Sequence, residues 1–150
     1  MKRKSYRKDY MLTHDIDWFF QCKGKVYHVA SNGGIIPKEI MARENAELQE
    51  KVYNYTVSNE SECIINRNFI QENILNDLDN EYPSCEQQFS DYIESFVAMA
   101  KKGFISLDRS IDNRYFWVAK PKEDNTYNEF FEIQKGIVQF EEMPIQIVEQ

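Results

Sequence analysis

Two histidines and an aspartate are the side chains of this sequence best suited to proton-transfer chemistry. His14 and His28 are the only histidines, and Asp17 lies between them. Imidazole gains and loses a proton near neutral pH and a carboxylate can orient it, so the three are candidates for general acid–base catalysis. No third histidine and no hydrolase or zinc-protease motif completes the set. An ion pair on a polar surface is the more frequent arrangement.

A glycine-containing turn follows the second histidine. Ser31, Asn32, Gly33 and Gly34 precede Pro37, which suits the first position of a helix. Backbone N–H groups at the start of a helix can bind an anion, so this loop is a candidate ligand or anion site. It matches neither the dinucleotide-binding pattern nor the P-loop pattern. A structural turn that leads into the helix is the alternative that the sequence favours.

The acidic residues are concentrated in one part of the chain. Residues 68–100 contain no lysine or arginine. Their acids are Glu72, Asp77, Asp79, Glu81, Glu86, Asp91 and Glu94. The apolar residues of this stretch follow helical spacing, so the apolar side faces inward and the acids face outward. These acids form either a solubilising surface or a docking surface for a basic protein partner.

No pattern in the sequence predicts a metal or a cofactor. The acids that begin at Asp77 are spaced like a calcium loop, but Tyr82 and Gln88 stand where such a loop needs glycine and glutamate. The three cysteines are odd in number and widely spaced. This argues against a disulfide framework and against a zinc site, and it favours a reducing compartment.

The charge is divided between a short basic start and an acidic remainder. The chain of 150 residues has 18 basic and 25 acidic side chains, for a net charge of −7. Five of the basic residues fall within positions 2–8, which leaves 13 basic against 25 acidic residues and a net charge of −12. A phosphate backbone is repelled by such a body, so we predict no binding to duplex nucleic acid.

Targeting signals are not predicted. The basic start is not followed by an apolar stretch, as a secretion signal would be. No apolar run approaches the ~20 residues that a membrane span needs. We therefore expect a cytoplasmic protein without a membrane partner. Its composition, rich in isoleucine, asparagine, lysine and aromatic residues, is typical of an AT-rich bacterial genome.

A β-hairpin is predicted at residues 16–30, where aromatic and β-branched runs flank Lys23 and Gly24. If these two residues form the turn, His28 lies opposite Phe19 and becomes a diagonal neighbour of Asp17. That face of the hairpin is predicted to be the polar, outer one. The other face carries residues such as Trp18 and is predicted to be the core face.

Three helices are predicted next. Apolar residues at helical spacing indicate helices over about 37–53 and 66–80. Residues 56–68 are ambiguous between a short strand and the start of the second helix. The third helix is the best specified, because Ser84 begins a capping pattern and Gly103 suits its carboxyl end.

The remainder of the chain predicts strands and completes the fold class. The alternating segments are Phe104–Asp108, Arg114–Ala119, Glu129–Gln134, Ile137–Glu141 and Ile145–Val148. We predict an α+β fold with an N-terminal hairpin, two to three helices on one face of the sheet, and a C-terminal antiparallel meander. Positions 1–10 are predicted to be a flexible basic arm, and 11–150 a single globular domain.

These features favour an interaction protein over an enzyme. The preferred hypothesis is a non-catalytic binding module, of the immunity-protein or regulator kind, whose acidic helical surface meets a basic protein partner. The alternative is a small enzyme or ligand-binding domain with a site around His14, Asp17 and His28 and the loop at 31–34. A sensory domain for a small ligand held between sheet and helices is a third possibility.

Overall fold

The computed structural model describes residues 14–41, 43–57, 60–75, 85–110, 112–123 and 137–148. These residues form an α+β fold, which confirms the predicted class. The strands are β1 (Asp17–Cys22), β2 (Lys25–Ala30), β3 (Cys63–Ile65), β4 (Ile105–Arg109), β5 (Tyr115–Pro121) and β6 (Gln139–Phe140). The helices are α1 (Lys38–Met41), α2 (Arg43–Asn54), α3 (Arg67–Asn73) and α4 (Cys85–Lys101). The basic arm and the predicted strand at 129–134 lie outside the described residues.

The N-terminal hairpin has the predicted register. Lys23 and Gly24 form the turn, with φ of 51° and 80°. Positive φ at both central residues is what a tight turn between twisted strands requires. Phe19 therefore lies opposite His28, and Asp17 lies opposite Ala30.

The sheet is mixed, and its strand order is β3-β5-β4-β2-β1-β6. The predicted antiparallel pairing of the C-terminal half is present between β4 and β5. However, β4 also pairs with β2 in parallel, and β6 pairs with β1 in parallel at the far edge. The parallel β2–β4 pair is possible because all four helices lie between these strands in the chain and return it in the same direction. The predicted strand Ile145–Val148 contributes one bridge, between Ile147 and Tyr115.

The helices begin close to where the sequence patterns predict, but α3 ends at Asn73 and not near residue 80. Helices α1 and α2 lie on either side of position 42 and cover the stretch of about 37–53 that was predicted to be helical. The ambiguous stretch 56–68 contains the edge strand β3 and the start of α3. Helix α4 ends as predicted before Gly103, which has a φ of 110°. None of the helices in the described part of the chain is long and apolar enough to cross a membrane.

Both faces of the sheet are covered, and this corrects the predicted polar face of the hairpin. Helices α2, α3 and α4 pack on one face, as predicted for the helices. The short α1 and the C-terminal residues 138–147 pack on the other, against Trp18 and its neighbours. Phe19 and His28, on the face predicted to be open, are 0% and 1% exposed. The prediction was wrong because pairing with β4 makes β2 an internal strand, which α4 then covers.

Replacement of Phe19 tests the burial of this second face. Phe19 packs against Phe104, with ring centroids 5.0 Å apart, and it lies in one cluster with Val52 of α2 and Met99 of α4. We expect Phe19→Ala to lower the free energy of unfolding by about 3–5 kcal/mol, as measured by chemical denaturation. Ile64→Ala, at an exposed position of β3, is the control and should cost far less. Equal effects of the two substitutions would contradict the arrangement.

Candidate functional site

Three adjacent strands place a row of hydrogen-bonded polar side chains on the sheet face that α2, α3 and α4 cover. His28 of β2 lies opposite Ser106 of β4 and diagonal to Asp17 of β1. Its Nε2 lies 2.7 Å from Asp17 Oδ1, and its Nδ1 lies 2.6 Å from Ser106 Oγ. Since an ionised carboxylate only accepts, Nε2 donates to Asp17; in the neutral ring Nδ1 then accepts the Ser106 hydroxyl proton. The predicted contact between Asp17 and His28 is confirmed.

Asp17, His28 and Ser106 are the residue types of a serine-hydrolase catalytic triad. Here, however, the serine is the buried member and the aspartate the exposed one, the reverse of what catalysis needs. A nucleophilic serine must reach the substrate, and the acid behind the histidine is normally the buried member. Here Ser106 is 0% exposed, whereas the side chain of Asp17 is 42% exposed. The arrangement therefore satisfies both nitrogens of a buried histidine, as buried polar groups require, and it gives Ser106 no path to a substrate.

A second polar pair lies beside the first. Tyr92 of α4 donates its hydroxyl proton to Asp108 Oδ2 at 2.5 Å, and the backbone N–H of Arg109 donates to Oδ1 at 2.8 Å. Burial raises the pKa of Asp108 to about 6, although both hydrogen bonds and the nearby His28 oppose the rise. Burial and then the Asp108 carboxylate raise the pKa of Tyr92 well above its usual value. Asp108 thus titrates within reach of neutral pH.

Both polar groups lie at one end of the sheet. Ala30 lies opposite Asp17 on one side and opposite Asp108 on the other, so β1, β2 and β4 meet here. This is also the end at which the parallel strands β2 and β4 finish. In open sheets with parallel strands, ligands bind outside such carboxyl ends. The polar groups of β1, β2 and β4 thus lie at the end of the sheet where that rule places ligands.

The loop at 31–34 stands over this end, and the chain itself occupies its N–H groups. The donors and acceptors are Ser31 N to Ile16 O (3.0 Å), Asn32 N to Asp15 Oδ1 (2.9 Å), Gly33 N to His14 O (3.1 Å) and Gly34 N to Ser31 O (2.7 Å). The Ser31 hydroxyl accepts from Ile16 N at 2.7 Å. The loop thus ties the end of β2 to the residues before β1. Anion binding there stays a prediction.

Gly34 fixes the position of this loop against β4 and β5. A Cβ at Gly34 would lie 2.5 Å from Tyr115 Oη, 2.8 Å from Arg109 Cδ and 2.9 Å from the Ser31 carbonyl oxygen. Real Cβ atoms do not approach so closely. The absence of a side chain at this position is therefore a packing requirement, and it explains one glycine of the sequence motif without a ligand.

The predicted site residues are brought together only in part. Asp17 and His28 are in contact, whereas His14 is exposed and its carbonyl oxygen accepts from Gly33 and from the Ser31 hydroxyl. Residues 31–34 lie at the same end of the sheet. No group of three or more histidine, cysteine, aspartate or glutamate side chains in the described residues is arranged to hold a metal ion.

The acids of the predicted docking surface lie on the exposed sides of α3 and α4. Those within the described residues are Glu72, Glu86, Asp91 and Glu94, and all four are exposed. Glu86 lies 3.5 Å from Arg67 Nη1, and Asp91 accepts from Gln87 Nε2 at 2.8 Å. The other predicted members, Asp77, Asp79 and Glu81, lie outside the described residues.

Sequence reasoning missed Ser106, Asp108 and Tyr92. Ser106 and Asp108 do alternate with Leu107 along a predicted strand, which places them on one face. Their meeting with His28 depends on the parallel β2–β4 pair, which joins residues 78 positions apart. Local sequence patterns carry no signal for such a pairing.

Comparison of the chain with protein-family models, with curated proteins and with solved structures found no match.

Asp108→Asn tests the raised pKa. The folded state favours the protonated acid, so this group contributes stability below about pH 4, and the contribution is lost as the pH rises through about 6. The stability of the wild type relative to Asp108→Asn should fall by up to about 3 kcal/mol between pH 4 and pH 7. Urea denaturation at several pH values measures it, with the exposed Asp91→Asn as control. A difference that stays constant over this range would contradict the raised pKa.

Ser106→Ala tests whether the buried chain of polar groups is structural. The substitution leaves His28 Nδ1 buried without its partner, which should cost about 1–3 kcal/mol of unfolding free energy. Ser95→Ala, on the exposed side of α4, is the matched control and should not destabilise the fold. If Ser106→Ala proves as stable as the wild type, the bond contributes nothing to the fold.

Proposed function

We propose that this protein is a non-catalytic binding protein that docks a basic protein partner on an acidic surface formed by Glu72, Glu86, Asp91 and Glu94. The observation that carries the proposal is the division of α4 into two sides. Its apolar residues, including Phe89, Phe96 and Ala100, are buried against the sheet, while its three acids face outward. The acids are thus presented on a rigid, well-packed helix.

The charges on this surface are available to a partner. Arg67 forms an ion pair with Glu86, but both side chains are largely exposed, and exposed pairs contribute little. No lysine or arginine of the described residues forms an ion pair with Asp91 or Glu94. A cationic group of a partner can therefore meet these acids without first breaking a strong internal contact.

The charge of the rest of the chain supports the same role. Outside the basic start, the net charge is −12, so the field of the whole body attracts a basic protein from a distance. Attraction of this kind raises the association rate and fixes orientation more than it adds affinity. Small acidic domains that neutralise toxins or regulate other proteins share this general character.

The burial of Ser106 and His28 favours binding over catalysis. The enzyme alternative requires a reactive group that reaches a substrate, and the two most reactive members of the polar chain are enclosed by the sheet and α4. Asp17 alone extends to the surface. An exposed carboxylate whose histidine and serine partners are both buried supports a binding site more readily than a reaction.

Charge reversal on α4 tests the proposed function. The triple variant Glu86→Lys, Asp91→Lys, Glu94→Lys should lower the affinity for a partner captured from a lysate of the source organism by at least about tenfold, or about 1.4 kcal/mol. Binding by the wild type should weaken as salt is raised, because exposed charges are screened. Titration calorimetry with the captured partner measures both effects.

The matched control makes the same change of charge elsewhere. Glu39, Glu141 and Glu142 are exposed and belong to segments that pack on the opposite face of the sheet from α4, so their replacement by lysine changes the net charge equally at a distant place. This control should keep most of the affinity. Equal loss in both triple variants would attribute binding to net charge alone and would contradict docking on α4.

A further inference from the structure

An open groove runs along α4 beside the exposed acids. Its volume is about 650 Å³, and its other wall is formed by Thr56, Val57 and Glu60. The α4 residues that line it are Ser90, Ile93, Glu94, Val97, Ala98 and Lys101. Their spacing places them on one side of the helix, over a length of about 16 Å at the ~1.5 Å rise per residue of an α-helix. A groove of this length suits a segment of polypeptide.

The middle of the groove is apolar. Ile93 and Val97 are half-buried, and Ala98 is exposed. Val57 faces them from the opposite wall. Apolar surface that is only partly covered gains free energy when a partner side chain removes it from water.

The charged residues of the groove follow an order along it. Glu94 lies in the amino-terminal half of the groove, next to Ile93, whereas Asp91 is exposed three residues earlier and does not line the groove. Lys101 and Lys102 lie at the carboxyl end. Glu60 belongs to that end as well, because the following residue donates its N–H to the Lys101 carbonyl oxygen at 2.8 Å. The carboxyl end therefore has a net charge of about +1, the negative charge of Glu94 lies nearer the amino end, and Val97 and Ala98 lie between the two.

The two lysines at the carboxyl end differ in whether their ammonium groups are held by a hydrogen bond. The Lys102 ammonium donates to the Tyr53 carbonyl oxygen at 2.6 Å and lies 5.8 Å from the Tyr53 ring centroid. It is thus held in place at the end of the groove. Lys101 is exposed in the last turn of α4 and is free to turn toward a ligand.

From this order of charges we infer that the groove seats a short segment of the protein partner that is basic at one end, apolar in the middle and acidic at the other. The inference rests on the proposed function and specifies its partner. The basic end meets Glu94, the apolar residues cover Val97 and Ala98, and the acidic end meets Lys101. A segment of uniform charge is repelled at one end of the groove.

Labelled synthetic peptides and the full chain test the inference by fluorescence anisotropy. The matched peptide has arginines at one end, leucines in the middle and glutamates at the other. A scrambled peptide of the same composition intersperses the charges. We expect the matched peptide to bind at least about tenfold more tightly than the scrambled one, a difference that electrostatic complementarity can supply. Equal affinities would overturn the inference.

Two variants of α4 locate the binding. Ala98→Arg fills the groove from an exposed position, so the fold should be retained, and it should weaken the matched peptide at least about tenfold. Ser95→Arg places the same side chain on the exposed surface outside the groove and should change the affinity less than twofold. Peptide binding that ignores Ala98→Arg would overturn the inference.

Lys101→Glu provides an independent check on the order of charges. It should weaken the matched peptide and strengthen an all-basic peptide of the same length. The opposite result would overturn the assigned orientation. Sedimentation provides a second check: self-association of the wild type that Ala98→Arg abolishes would also overturn it. Binding of a lysate partner separates the two proposals. If charge reversal at Glu86, Asp91 and Glu94 abolishes this binding but Ala98→Arg does not change it, the proposed function stands and the role of the groove is refuted.

Discussion

The parallel pairing of β2 with β4 is the interaction on which the rest of this fold depends. On one side of the pair lie β1 and β6, and on the other β5 and β3, so among the described strands this pair joins the two halves of the sheet. Four residues of each strand take part, from Tyr27 opposite Ile105 to Ala30 opposite Asp108. The pair makes β2 an internal strand, and as a result side chains such as His28 are buried.

Burial of β2 removes the His28 side chain from water, and hydrogen bonds to neighbouring polar side chains compensate for the lost hydration. A histidine enclosed between a sheet and a helix loses its water, and it must find partners for two ring nitrogens. Ser106 arrives through the β2–β4 register and Asp17 through the hairpin register, so the same backbone pairing that buries His28 also supplies its hydrogen bonds. The Tyr92–Asp108 pair repeats this pattern one step further along β4 and brings in α4. The polar groups thus tie three strands and a helix together at defined positions.

Local features of the sequence predicted local features of the structure. The Lys23-Gly24 turn determined the hairpin register, and with it the contact between Asp17 and His28. The periodic apolar residues and Gly103 located α4. The mixed sheet could not be predicted in this way, because an alternating strand such as β4 pairs equally well in either direction until the helices fix its approach. The polar face of the hairpin was misjudged for that reason: His28 looks like a surface residue until β4 and α4 are in place. The groove on α4 likewise depends on Thr56, Val57 and Glu60 lying beside the helix, a contact with no sequence signal.

The distance in sequence across the β2–β4 pair also affects how the chain folds as it is made. His28 and Ser106 are separated by 78 residues. At synthesis rates of roughly 5–20 residues per second, the completed hairpin waits about 4–16 s for its partner strand. During this time β2 has no partner on its second edge, and an isolated hairpin is only marginally stable in water. The nascent chain therefore carries an aromatic hairpin with a free strand edge, a feature that promotes aggregation, until β4 has been made.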